Sequence, residues 1–139
     1  MPDITLPREL HAIGQRAIDE AVRRGANSVE AEHVLLALAA DDAIPGLTHD
    51  ELDRALDAER ARSLAHAGVA DAHPLSTGRS TKPGWGASVR ELLRASDKPA
   101  DRTPAALRRE LALGILRADL GTVPRALALA GVDRKALLA

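Results

Sequence analysis

The chain has 139 residues, 45% of them hydrophobic and 28% charged, with a formal net charge of −1 at pH 7. It contains no Cys, Phe or Tyr and a single Trp. The lack of Cys excludes disulfides, thiolate metal ligands and thiol nucleophiles, and the lack of Phe and Tyr means that a core must be built from Leu, Ala, Val and Ile.

The longest apolar run, Val34 to Ala40, is too short to span a bilayer. The opening residues 1–5 also lack the basic and apolar regions of a secretory signal. Together these features predict a cytoplasmic protein that does not enter a membrane.

Three helices are predicted in the first half of the chain, over about residues 7–24, 29–40 and 49–68. Pro7 suits the first position of a helix, and Gly25 and Gly68 supply stops. Ser28 is predicted to cap the second helix and Thr48 the third. The back half of the second helix is apolar on every side, so we expect it to be buried.

Residues 70–86 are rich in Pro, Gly, Ser and Thr, which predicts a connecting segment. Four more helices are predicted after it, over about residues 87–96, 104–116, 122–131 and 134–139. Thr103 and Asp133 are the expected caps of the second and the last of these. Nothing alternates with a period of two, so no strand is predicted.

Both halves of the chain end in the same phrase. Leu64–Val69 reads Leu-Ala-His-Ala-Gly-Val, and Leu127–Val132 reads Leu-Ala-Leu-Ala-Gly-Val. Upstream, Val34–Asp42 aligns with Leu111–Asp119, and each is a largely apolar run followed by an acid. Each half therefore carries an amphipathic helix, an apolar helix and a helix that ends in Ala-Gly-Val, which indicates an internal repeat.

This repeat predicts an all-α fold in which two pseudo-twofold-related helical repeats pack as one domain. The predicted bounds are residues 1–139 for the domain, about 6–69 for repeat one, about 70–84 for the linker and about 85–139 for repeat two. Val34–Ala40 and Leu111–Leu116 are expected to be the buried central helices.

Several motifs resemble one family. Residues 25–38 (Gly-Ala-Asn-Ser-Val-Glu-Ala-Glu-His-Val-Leu-Leu-Ala-Leu) resemble its Gly-His-Asn-x-Ile-Gly-Thr-Glu-His stretch and the Leu-rich helix that follows. Leu113–Arg117 resembles its Leu-Gly-Leu-Leu-Arg, and residues 123–133 resemble its Ala-Arg-x-Leu-x-x-x-Gly-Val-Asp phrase. In this order, and in duplicate, the motifs resemble the Clp amino-terminal domain, the double-repeat module in front of the ATPase rings of Clp-type unfoldases.

The resemblance implies a non-enzymatic module without a cofactor that binds protein or peptide segments in Clp-linked quality control. The expected partners are Clp unfoldase subunits, adaptors, clients or small peptide ligands. No Gly-x-x-x-x-Gly-Lys-Ser/Thr phosphate loop occurs in the chain, so it carries no ATPase of its own.

The departures from the family pattern concern its ligand site. Glu30 stands where the family has its second glycine and Ala31 replaces the threonine, while Glu32 and His33 are kept. In relatives that bind phosphorylated arginine, acids beside this helix hold the guanidinium, and hydroxyls and backbone amides hold the phosphate. Only Glu32 of that set remains here, which argues against a phosphoarginine role.

Five residues are predicted to bind a peptide or ligand: Leu6, Glu32, His33, Trp85 and Arg109. Leu6 and Trp85 occupy the positions of the family's opening aromatic residue, and Arg109 stands in the second repeat where the first has Glu32. The alternatives are that Glu32 stabilises a helix N-terminus, that His33 is a packed core residue with one nitrogen satisfied, and that Trp85 belongs to the core.

No catalytic residue and no metal site are predicted. The cluster His49-Asp50-Glu51 lacks the i, i+4 spacing of a zinc-binding helix. A Gly-x-Ser-x-Gly nucleophile motif is also missing from the sequence.

Charge suggests one alternative function. Residues 1–75 hold 14 acidic and 7 basic residues, whereas residues 76–139 hold 6 acidic and 12 basic ones. An Arg-rich second half, with Arg108, Arg109, Arg117 and Arg125, is compatible with a helical regulator that binds nucleic acid. The slightly acidic balance of the whole chain and the single aromatic residue argue against it.

Overall fold

The computed structural model of the protein describes residues 8–68, 83–95, 103–119 and 121–138. This part of the chain is mostly helical. In chain order its elements are α1 (Arg8–Arg23), β1 (Ser28–Val29), α2 (Ala31–Ala40), α3 (His49–His66), β2 (Gly84–Trp85), α4 (Ala87–Ala95), α5 (Pro104–Leu116), α6 (Thr122–Leu129) and α7 (Arg134–Leu138). The seven predicted helices are all found. Leu6 and most of the predicted linker lie outside the described residues.

The expectation of no strand is wrong at one place. β1 pairs in parallel with β2, with Ser28 opposite Gly84 and Val29 opposite Trp85. Gly86 N–H extends the pairing by donating to the carbonyl of Val29 at 2.8 Å. Strands of two residues are too short to show an alternating pattern, and their pairing joins segments that are distant in sequence.

The strand pair also corrects the start of the second helix. Ser28 lies in β1 and is not a cap; α2 begins at Ala31, and its N-cap is Glu30. The other predicted caps are confirmed. Thr48, Thr103 and Asp133 each accept a hydrogen bond from a backbone N–H in the first turn of their helix, at 3.2, 3.1 and 3.0 Å.

The repeated phrase ends a helix in both halves. Gly68 and Gly131 have φ of 76° and 73°, a left-handed conformation that glycine adopts without strain. After Gly131, the N–H of Val132 donates to the carbonyl of Leu127 at 2.9 Å, and the half-buried Val132 side chain packs against the core. The predicted glycine stops are therefore confirmed.

Helix α2 is the centre of the described structure. Residues 33–39 are all buried, and α2 packs against α1, α3, α4, α5 and α6. The prediction that Val34–Ala40 is buried holds except at Ala40, which is exposed.

Helix α5 is buried on one face only. Leu111, Ala112, Ile115 and Leu116 lie in the core, but Leu113 is half-buried and Gly114 is exposed. The prediction that Leu111–Leu116 is a buried run is therefore wrong at Gly114, because this side of α5 faces a groove. Among the described helices, none is long and apolar enough to cross a membrane.

Candidate functional site

Two depressions meet at the N-terminus of α2. One has a volume of about 590 Å³ and mostly apolar walls that include Leu92, Ile115, Val123 and Pro124. The other has a volume of about 570 Å³ and more polar walls that include Arg24, Asn27, His33, Glu59 and Arg60. Glu30, Glu32 and Thr122 line both. We call the two together the α2 groove.

Glu32 lies where the apolar and polar parts of the α2 groove meet. It is the second residue of α2 and is half-buried. Burial raises the pKa of its carboxyl above the usual value, with the charge of Glu30 adding to the effect, although the backbone N–H of Glu32 itself acts in the opposite direction. No described side chain forms an ion pair with it. Glu32 is therefore suited to accept a cation from a ligand.

Arg24 lines the polar part of the groove, but it is already paired. Its side chain is 10% exposed and contacts Asp53 at 2.6 Å and Asp57 at 2.9 Å. These two ion pairs hold Arg24 against α3, so it leaves the carboxylate of Glu32 without a direct partner.

His33 holds the first turn of α2 together. It is only 4% exposed, and its Nδ1 accepts a hydrogen bond from the backbone N–H of Glu30 at 2.9 Å. An acceptor at Nδ1 places the proton on Nε2. Burial, assisted by the charge of Arg24, lowers the pKa of His33 to about 4. The neutral ring thus performs the reciprocal part of a capping box, an arrangement that favours the structural alternative for this residue.

Sequence reasoning missed the role of Glu30, which joins the two halves of the chain. Its carboxylate accepts hydrogen bonds from the hydroxyls of Ser28 and Ser88, each at 2.7 Å. The Ser88 hydroxyl in turn accepts from Ala31 N–H at 2.8 Å. Glu30 Oε1 also accepts from Ser88 N–H at 3.4 Å, so the N-termini of α2 and α4 cap each other. Burial by itself would raise the pKa of Glu30, but the hydrogen bonds from Ser88 and Ser28 outweigh it and hold that pKa below its usual value.

Because Gly86 has no side chain, the carboxylate of Glu30 can occupy the space beside it. A Cβ atom at this position would overlap both carboxylate oxygens of Glu30. The glycine is buried, and the strand pairing described above fixes its backbone. The Glu30 contact therefore depends on the absence of a side chain at Gly86.

Trp85 is packed on one side and exposed on the other. One edge of the indole lies on α1, where its Cη2 would be 3.2 Å from a Cβ built on Gly14. The residue is nevertheless 38% exposed. Together with Leu10 and Val89, Trp85 lines a small apolar cavity. Trp85 is not among the residues that line the α2 groove.

Arg109, the other predicted site residue that the structure describes, does not join the groove. Arg109 is exposed on α5 and lines neither part of the α2 groove, and Leu6 lies outside the described residues. The structure thus brings Glu32 and His33 together and leaves Trp85 and Arg109 apart from them. Over the described ranges, no group of three His, Cys, Asp or Glu side chains is placed to hold a metal ion.

Comparisons of this chain with protein-family models, with curated proteins and with solved structures found no match.

Proposed function

We propose that the chain is a non-enzymatic binding module related to the Clp amino-terminal domain, with two pseudo-twofold-related helical repeats in one domain. The order of elements supports this relationship: the series α1, α2 and α3 is followed by the series α4, α5 and α6. Helices α2 and α5 take the middle place of each series and pack against each other, and both series close on the repeated glycine stop.

The α2 groove is the proposed binding site, and Glu32 is the observation that carries the proposal. A half-buried carboxylate without a described cation partner gains most from a ligand that supplies one. The apolar walls formed by Leu92, Ile115 and Val123 lie next to it. The ligand best matched to this arrangement is a protein segment with Arg or Lys beside an apolar residue. Substrates or adaptors of a Clp-type unfoldase are the proposed source of such segments.

Replacing Glu32 by Gln should lower the affinity for a short fluorescein-labelled peptide with one Arg between Leu residues by at least about tenfold, because a charge-assisted hydrogen bond contributes about 1.5–3 kcal/mol. The measurement is fluorescence anisotropy. Thermal stability should be unchanged or slightly higher, since the raised pKa means that the folded protein bears a cost for the Glu32 charge near neutral pH.

Asp50 provides the matched control for this substitution. It is likewise an acid in the first turn of its helix, and it lies outside the α2 groove. Asp50→Asn should leave peptide affinity unchanged. Equal losses in Asp50→Asn and Glu32→Gln would contradict the proposal. A Glu32→Ala variant that melts earlier yet binds normally would assign Glu32 to the helix terminus instead.

Titration with free phosphoarginine should show one weak site or none. The second repeat has Arg109 where the first has Glu32, and Arg109 lies away from the groove. Isothermal titration calorimetry would count the sites. Two sites of similar affinity would show that the alignment of Arg109 with Glu32 is wrong and that both repeats retain a binding pocket.

Purification from a cell lysate distinguishes this function from nucleic-acid binding. Recovery of unfoldase subunits or stress-damaged clients with the wild-type chain, and their loss with Glu32→Gln, supports the proposal. Recovery of DNA or RNA that weakens steeply with added salt would favour the nucleic-acid alternative.

A further inference from the structure

A second groove lies between α3 and α6. Its volume is about 570 Å³, and its walls include Arg62, Ser63 and His66 of α3 and Arg125 and Leu129 of α6. We call it the α3–α6 groove. Glu59 borders both this groove and the α2 groove, and the α3–α6 groove also carries two arginines, Arg62 and Arg125.

Arg125 is oriented at this groove by a contact with Glu59. Glu59 is 7% exposed, and its Oε1 accepts hydrogen bonds from Ser63 Oγ at 2.7 Å and from Arg125 Nε at 3.1 Å. The Arg125 side chain is nevertheless 61% exposed. Glu59 binds the Nε atom. The two terminal nitrogens of the guanidinium have no hydrogen-bond partner among the described residues. They form an oriented pair of donors of the kind that binds a carboxylate.

The groove also holds basic side chains that Glu59 does not contact. Arg62 and His66 lie one turn apart on the same face of α3, and both are exposed. Neither makes an ion pair or hydrogen bond with any residue in the described ranges. Since Glu59 offsets the charge of Arg125, the charge of Arg62 remains in excess. At the other wall, Leu129 is 37% exposed and offers an apolar contact.

We propose that the α3–α6 groove binds an acidic segment of a partner protein. One carboxylate contacts the terminal nitrogens of Arg125, a second contacts Arg62, and a neighbouring apolar side chain packs on Leu129. Charge complementarity selects this occupant. A nucleic acid fits less well, because no Phe, Tyr or Trp is among the described residues that line this groove and could stack on bases.

The proposal is tested with a short fluorescein-labelled peptide in which Asp and Glu alternate with Leu and Ser, titrated with the full chain and followed by fluorescence anisotropy. Arg62→Gln and Arg125→Gln should each weaken binding by at least about threefold, and the double variant by about tenfold or more. Arg62→Gln is the more decisive single variant, because Arg62 supports no described contact and its loss leaves Glu59 paired.

Two controls separate this groove from other surfaces. Arg90→Gln removes an exposed cation of α4 outside both grooves and should leave the affinity for the acidic peptide unchanged. Glu32→Gln should also leave it unchanged, so failure here is distinguishable from failure of the function proposed for the α2 groove.

Several results would overturn the proposal. The first is that the acidic peptide does not bind measurably. The second is that the double variant Arg62→Gln, Arg125→Gln binds it as tightly as the wild-type chain does. The third is that a matched peptide with Lys in place of Asp and Glu binds as tightly as the acidic peptide. Tighter binding of single-stranded oligothymidine that is lost in the same double variant would assign the groove to nucleic acid. Self-association in sedimentation that Arg62→Gln abolishes would assign it to a second copy of the chain.

Discussion

Acidification from pH 6.5 to pH 4 should remove on the order of 3 kcal/mol of unfolding free energy through His33 alone. The folded protein keeps this imidazole neutral, with a pKa of about 4 against 6.5 for the unfolded chain. Between these values the unfolded chain binds a proton that the folded protein does not. The stabilisation is thus complete above pH 6.5 and is lost as the pH falls toward 4. Urea unfolding at a series of pH values, followed by far-UV circular dichroism, measures it.

Substitution of Gln for His33 separates this effect from general acid denaturation. A Gln side chain at the third position of the helix accepts the same hydrogen bond from Glu30 N–H but does not titrate. We expect His33→Gln to fold at neutral pH and to lose stability much less steeply on acidification. His66→Gln, at an exposed position of α3, controls for the loss of a histidine as such. A His33→Gln profile as steep as that of the wild type would show that other groups control acid unfolding.

Replacement of Gly86 by Ala should destabilise the protein by about 1–3 kcal/mol, because the new methyl group displaces the Glu30 carboxylate from its hydrogen bonds with Ser28 and Ser88. The carboxylate is the end of a flexible side chain and can rotate away. The cost is therefore that of the lost hydrogen bonds, of which the one with Ser88 joins the two halves, rather than that of a backbone rearrangement. Chemical denaturation of the variant gives the free energy directly.

A double-mutant cycle with Glu30→Gly identifies the cause. Once Glu30 is absent, Gly86→Ala should cost only about 0.5–1 kcal/mol, because Ala is a poorer helix N-cap than Gly. That contribution is present in both backgrounds and cancels in the cycle. Gly84→Ala is the matched control, since a Cβ there contacts nothing within 4 Å. An equal cost for Gly86→Ala in both backgrounds would contradict the role of Glu30.

The helices and their caps could be predicted because each depends on residues close together in sequence. Thr48, Thr103 and Asp133 each cap the helix that directly follows, and Gly131 ends the helix before it. The strand pair could not be predicted, because its four residues carry no local pattern and pair across a large distance in sequence. The exposed position of Gly114 in an otherwise apolar run also depends on which neighbours cover α5.

The candidate site was predictable only in part. The family pattern pointed to Glu32 and His33, which do lie at the α2 groove. The pairing of Glu30 with Ser88 was missed because the two residues are 58 positions apart. A signal was present in the sequence, because Glu30 and Ser88 both lie at the start of a predicted helix. Arg109 does not line the α2 groove, since alignment of repeats assigns a position in a helix but not the direction that its side chain faces.

The contact of Trp85 with Gly14 makes the chain its own optical reporter. With no Tyr and no other Trp in the sequence, excitation at long ultraviolet wavelengths addresses one indole. That indole belongs to β2 and rests on α1, so its emission monitors the junction between the first and second halves. Because the ring is partly covered, separation of the halves would shift its emission to the red. It would also expose the ring to quenchers such as acrylamide. Movements at this junction can therefore be followed without an attached dye.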